Sequence, residues 1–183
     1  MRGERNRSHP DRVAILEPVV DARRRVAEDA DPGEGPQWQE GVGVVGYPPA
    51  RVDHRFKDGD TIRVGPIALT AHITAGHTRG CTSWSFPVHD GDRVLNVVSV
   101  CDTGGLESSN YPEQAADRER SIRVLRSLPA DIWVTNHARA WGRYRKFVAS
   151  AAAKNPVDPF IDPDGYRAFI DAAEAELRSG RVH

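Results

Sequence analysis

The sequence predicts a layered α/β fold. Two observations carry that expectation: short apolar runs punctuated by glycine and proline turns across residues 51–100, and apolar residues at helical spacing over 112–128 and 162–177. Strand pairs that give way to helices bury a sheet face under those helices, so the pattern points to α/β layers rather than a closed all-β barrel. A length of 183 residues suits one domain with a sizeable core. The boundary falls at residue 36: residues 1–35 read as an irregular N-terminal stretch and residues 36–183 as the domain.

The first 12 residues are rich in arginine, and the segment EDADPGEGP at 28–36 is acidic and rich in glycine and proline. Between them, ILEPVVDARRRVAED at 15–29 can form a helix only if Pro18 sits in its first turn. From residue 58, DGD leads into TIRV, a Gly-Pro turn at 65–66 and then IALTAHIT, which is the pattern of a β-hairpin. Trp84, Phe86 and Val88 alternate with polar neighbours, the turn HDGD follows, and VLNVVSV at 94–100 reads as a buried strand, giving a second hairpin. Residues 112–128 open with Pro112 at a first helical position and place Ala115, Ile122, Leu125 and Leu128 along one face. DIWVT at 131–135 is a further short strand. In the C-terminal helix Asp162 caps, Pro163 occupies the first turn, and Tyr166, Phe169, Ile170, Ala173 and Leu177 form the apolar face.

A formal net charge of −1 provides no general attraction to nucleic acid or to an anionic membrane, so neither is expected as a partner. The arginines of ARAWGRYRK at 138–146 read as a basic surface only. No apolar run approaches the roughly 20 residues of a membrane span, and MRGERNRSHPDR lacks the apolar segment of a secretory signal, so the chain as written is expected in the cytoplasm. Nothing in the sequence sets an oligomeric state. With two cysteines only, Cys81 and Cys101, any zinc site must be built from histidine and carboxylate.

His77 lies in TAGHTRG, after the strand IALTAHIT, with Gly76 and Gly80 allowing the tight loop that points an imidazole out of a sheet edge. His137 lies in TNH after the strand DIWVT. Two imidazoles at strand ends are placed as metal ligands in layered α/β enzymes commonly are, although each alone also suits an ordinary loop histidine. His54, His72, His89 and His183 read as structural or solvent-exposed. Trp84, Trp133 and Trp141 read as packing residues near strand ends, with Trp141 close enough to His137 to line a pocket.

TAHITAGHTRGCTSW resembles the GHTxG segment of the metallo-β-lactamase superfamily, and the run TAH, AGHT, G and TSW is most similar to its B3 subclass. YPPARVDHRFKDGDTIRVG, YPEQAADRERSIRVLRSLPADIWVTNH and NPVDPFIDPDGYRAF resemble further family segments in order, so the likeness extends over roughly residues 36–179. It implies the C-terminal half of a four-layer αββα sandwich in an N-terminally truncated or degenerate chain. Intact members are typically periplasmic or secreted and bind up to two zinc ions. The implied activity is hydrolysis of a small-molecule β-lactam antibiotic by zinc-bound hydroxide attacking the lactam carbonyl, with no catalytic side chain acting as nucleophile.

By the same resemblance His77 matches the third histidine of the first zinc site, and His137 matches the histidine of the second. The other four ligands of the family come from an HxHxDH motif, which this sequence lacks. In RSHPDR the residues Arg7, His9, Asp11 and Arg12 fall at those four spacings, with Leu16 where a helix would begin; this is either a decayed motif or an exposed polar tail. Arginine stays protonated and cannot ligate zinc. Asp102, in VCDTGG, lies where other superfamily branches place a metal-bridging aspartate and B3 enzymes usually have serine, so it is either a replacement ligand or a turn aspartate capping the next segment. Some B3 enzymes join the positions of Cys81 and Cys101 by a disulfide; the alternative is a pair of buried free thiols. Three functions follow: a B3-like zinc β-lactamase impaired by its missing motif, a catalytically incompetent remnant of the fold, or another superfamily hydrolase of an ester, thioester or amide.

Overall fold

A computed structural model describes residues 56–104 and 111–179. The expectations for residues 1–35, including the helix at 15–29 and the spacing of Arg7, His9, Asp11 and Arg12, lie outside the described residues, as do those for His54 and His183.

Among the described residues, five strands form one sheet in sequence order: β1 (Thr61–Val64), β2 (Ile67–Ile73), β3 (Thr82–Asp90), β4 (Arg93–Val100) and β5 (Ile132–Thr135). The two expected hairpins are present. Val64 pairs with Ile67 across the Gly65–Pro66 turn, and Asp90 pairs with Arg93 across Gly91–Asp92. β2 and β3 are also antiparallel neighbours, joined through residues 74–81, whereas β5 runs parallel to β4. A parallel neighbour needs a crossover, which helix α1 (Gln114–Ser127) provides. Two further helices follow, α2 (Arg143–Ala152) and α3 (Pro163–Ser179). No helix among the described residues is long and apolar enough to cross a membrane.

Strand alternation sorts the side chains between two faces. Val98 and Val100 of β4 and Trp133 of β5 meet Ile122 and Leu125 of α1 and Tyr166, Ile170 and Ala173 of α3 in the main core. Each large side chain fully buried there contributes about 1.5–3 kcal/mol. The Tyr166 hydroxyl, carried into this core, donates to the Leu125 carbonyl at 2.8 Å and so remains satisfied. Trp84 is opposite Ser99, which places it on the other face, where it packs with Phe56, Ile62, Ala71 and Ile73.

The C-terminal helix forms as its spacing predicts: Asp162 Oδ1 accepts from Gly165 N–H at 3.0 Å, and Tyr166, Ile170 and Ala173 are buried. α1 differs from expectation in two respects. It begins at Gln114 with Glu113 as N-cap, so Pro112 precedes the first turn. Ala115 is exposed, and the buried positions near the helix start are Gln114, Arg118 and Ser121. Helix α2 lies where the sequence predicts only a basic surface. Tyr144, Phe147 and Val148 have helical spacing but are exposed, so the helix adds no buried residue to the core. Its periodicity was the signal available, masked by the interleaved arginines.

Candidate metal centre

β2, β4 and β5 run in one direction, so their carboxyl ends share one edge of the sheet. His77 lies four residues past the end of β2, while Asp102 and His137 each lie two residues past the ends of β4 and β5. Residues from three loops distant in sequence meet at that edge. Among the described residues, one ligand atom from each of His77, Asp102 and His137 falls within 4.8 Å of the other two.

The carboxylate of Asp102 is divided between two tasks. Oδ1 accepts the backbone N–H of Thr103 at 2.6 Å and of Gly104 at 2.9 Å, which fixes the side chain as the cap of its own turn. Oδ2 then faces the imidazoles, 2.8 Å from His137 Nε2 and 3.8 Å from His77 Nδ1. His77 Nδ1 is also 3.0 Å from the Gly104 carbonyl. A donor is needed opposite that acceptor, so the proton is assigned to Nδ1 and the lone pair to Nε2. The rings of His77 and His137 meet edge-on at 80°, with centroids 6.4 Å apart. Asp102 and His77 are largely enclosed, at 12% and 16% side-chain exposure, whereas His137 at 67% forms the open side of the group.

Local structure holds each loop. The 74–81 loop closes through Thr74 N–H to the Cys81 carbonyl at 2.9 Å and Gly76 N–H to the Thr78 carbonyl at 3.1 Å. After β5, Ala140 N–H returns to the His137 carbonyl at 2.9 Å. The indole of Trp141 donates to the Thr135 carbonyl at 3.1 Å, so this residue braces the turn around His137 while packing against the main core. His72 accompanies Ser85 at 2.7 Å, and burial holds its pKa below the usual histidine value despite the opposing pull of Asp58; His89 is exposed. Neither joins the cluster.

Cys81 and Cys101 are joined by a disulfide. It links the residue before β3 to the residue after β4, beneath both the His77 loop and Asp102. The Ser83 hydroxyl adds a second link, 2.8 Å from Thr74 Oγ1 and accepting Cys101 N–H at 3.1 Å. Closing a loop with a sequence separation of 20 stabilises the fold by about 3 kcal/mol in the chain-entropy treatment. Thermal unfolding with and without a thiol reductant should therefore show a fall of several degrees in Tm on reduction. An unchanged Tm would mean that the bond contributes nothing to stability.

The edge where three strand ends converge, with its two-histidine, one-aspartate cluster, lies in a mixed α/β fold: the C-terminal part of the chain has the fold of the metallo-β-lactamase superfamily. Among solved structures, the Rm3 metallo-β-lactamase is 33% identical, with a TM-score of 0.68 over 75% of this chain and 53% of that one. The native FEZ-1 metallo-β-lactamase from Legionella gormanii is 31% identical, with a TM-score of 0.66 over 73% of this chain and 53% of that one. The class B3 di-zinc metallo-β-lactamase LRA-12, from an Alaskan soil metagenome, is 25% identical, with a TM-score of 0.67 over 78% and 55% respectively. This chain spans about half the length of the solved structures it matches. No protein-family model matches it.

Proposed function

We propose that the protein is a zinc-dependent hydrolase of the B3 β-lactamase type in which His77, Asp102 and His137 hold a single metal ion. The observation that carries this reading is the convergence of two imidazoles and one carboxylate oxygen within 4.8 Å at a shared strand-end edge. The donor set fits zinc, which takes nitrogen and carboxylate oxygen ligands and in hydrolytic sites retains three protein ligands with one open position. His9 and Asp11 are not required for that count. When bound, zinc supplies Lewis acidity that activates water near neutral pH and polarises a carbonyl.

The chain's own groups fit that task. His77, donating through Nδ1 to the Gly104 carbonyl, presents Nε2 as the ligand nitrogen, the usual arrangement for a metal-binding imidazole. Asp102 is oriented by two backbone N–H groups, so little freedom is lost on ligation. The exposure of His137 leaves its side open for a small substrate such as a β-lactam. The relatives at 33% and 31% identity, both metallo-β-lactamases, support the choice of substrate class.

Asp102 favours a second reading. An aspartate at this position, where the resemblance leads one to expect serine, suits a superfamily hydrolase acting on another ester, thioester or amide. Zinc stoichiometry of the purified chain, measured beside hydrolysis of a chromogenic β-lactam and a panel of thioesters, separates the two. One zinc per chain with β-lactam turnover is expected. One zinc with thioester turnover alone supports the second reading, and no zinc with no turnover sinks both and leaves a non-catalytic remnant.

A further inference from the structure

Helix α1 carries a buried polar stripe that the apolar core does not explain. Gln114, Arg118 and Ser121 are 8%, 5% and 4% exposed and recur at i, i+4 and i+7, so they share one face. Every one of them reaches a loop that bears a residue of the metal cluster. Gln114 Nε2 donates to the Gly76 carbonyl at 3.0 Å and Ser121 Oγ to the Ala75 carbonyl at 2.6 Å, in the two residues before His77. Arg118 Nε donates to the Thr103 carbonyl at 3.1 Å, the residue after Asp102, while its Nη2 is anchored on Glu176 of α3 at 2.8 Å. The same Arg118 stem lies against Gly76 so closely that a β-carbon there would stand 2.5 Å from Arg118 Cγ. One side chain thus touches both loops.

From this geometry we infer that Arg118 and Ser121, with Gln114, are positioning residues that hold His77 and Asp102 at the mutual distance needed to share one metal ion. The inference rests on the reading of His77, Asp102 and His137 as ligands. Burying three polar side chains costs desolvation that an apolar face avoids. The stripe lies where α1 passes beneath the two loops, and further along the helix the inward positions become Ile122 and Leu125, which pack in the main core. Polar groups are therefore buried where loop carbonyls must be held, and apolar ones where only the sheet must be covered. Groups outside the ligand set that orient it typically alter metal affinity by about 10- to 100-fold.

Cobalt(II) is a suitable probe, because its visible absorption reports both affinity and ligand geometry. The full chain, Ser121→Ala, Arg118→Lys and the core control Leu125→Ala would be titrated at a temperature where circular dichroism shows each to be folded. Arg118→Lys keeps the charge but removes the Nε donor to Thr103. About tenfold weaker cobalt binding with a shifted absorption band is expected for Ser121→Ala and Arg118→Lys. Leu125→Ala, although lower in Tm, should keep its cobalt affinity within about twofold. Unchanged affinity in both polar variants overturns the inference, as does an equal loss in Leu125→Ala, which would mark the effect as general destabilisation. A wild-type chain that takes up no cobalt defeats the ligand reading itself, and the inference falls with it.

Discussion

Replacing Gly76 by alanine is expected to destabilise the protein by about 4 kcal/mol and to abolish metal uptake. Two independent costs add. Gly76 has φ +139°, a conformation that non-glycine residues adopt at a cost of about 1–3 kcal/mol. The added β-carbon would also lie 2.5 Å from Arg118 Cγ and 3.1 Å from Arg118 Cα; overpacking of this kind costs about 1–3 kcal/mol. The side-chain atom can shift, but the backbone atom moves only with α1. Any such movement pulls Arg118 from the Thr103 carbonyl and Gln114 from the Gly76 carbonyl, disturbing both sides of the cluster. Gly59→Ala is the matched control: φ is +81°, but nothing lies within 4 Å of the added carbon, so only the conformational cost applies. Denaturant midpoints should fall in both variants, by roughly half as much for Gly59→Ala, which bears the conformational cost alone, as for Gly76→Ala. Equal shifts in the two variants would show that the approach of Arg118 has no energetic weight.

Much of this arrangement follows from signals a sequence carries well. Strand alternation around Trp84, Phe86 and Val88, and helical spacing from Tyr166 to Leu177, each report which side of an element must leave water, and both elements form as expected. His77 and His137 stand out because each follows an apolar run closely and glycine flanks the first. The neighbours they acquire are harder to read. That β2 lies beside β3, and β5 beside β4, depends on pairing between segments separated in sequence, and those pairings bring the three strand ends to one edge. The buried stripe on α1 escaped a reading based on apolarity because glutamine, arginine and serine normally mark a solvated face; counting polar residues flush with Ile122 and Leu125 would have exposed it. Exposed Ala115 is the same error in reverse. For Cys81 and Cys101, spacing alone does not distinguish two thiols from one bond, whereas the fold brings their Cα atoms to 5.8 Å.

Asp102→Asn should lower zinc affinity by more than about 100-fold while leaving the metal-free fold within about 1 kcal/mol of wild type. The asymmetry arises from the separate duties of the two carboxylate oxygens. An asparagine carbonyl can still accept from the Thr103 and Gly104 N–H groups, so the turn after β4 survives. The second atom becomes an NH₂ that offers no lone pair to a metal, placed where Oδ2 now lies 2.8 Å from His137 Nε2. With His137 two-thirds exposed, losing that contact in the metal-free protein has little effect, because solvent screens such pairs. A bound ion would instead drop from three protein ligands to two, below the number that catalytic zinc sites normally retain. Isothermal titration with zinc, run beside urea denaturation of the metal-free variant, measures both quantities. Zinc affinity retained within tenfold would make Asp102 a turn residue alone, and His77 and His137 would then need a third ligand from elsewhere. Lost affinity together with a large loss of stability would mean that the turn, rather than the ligand set, had been broken.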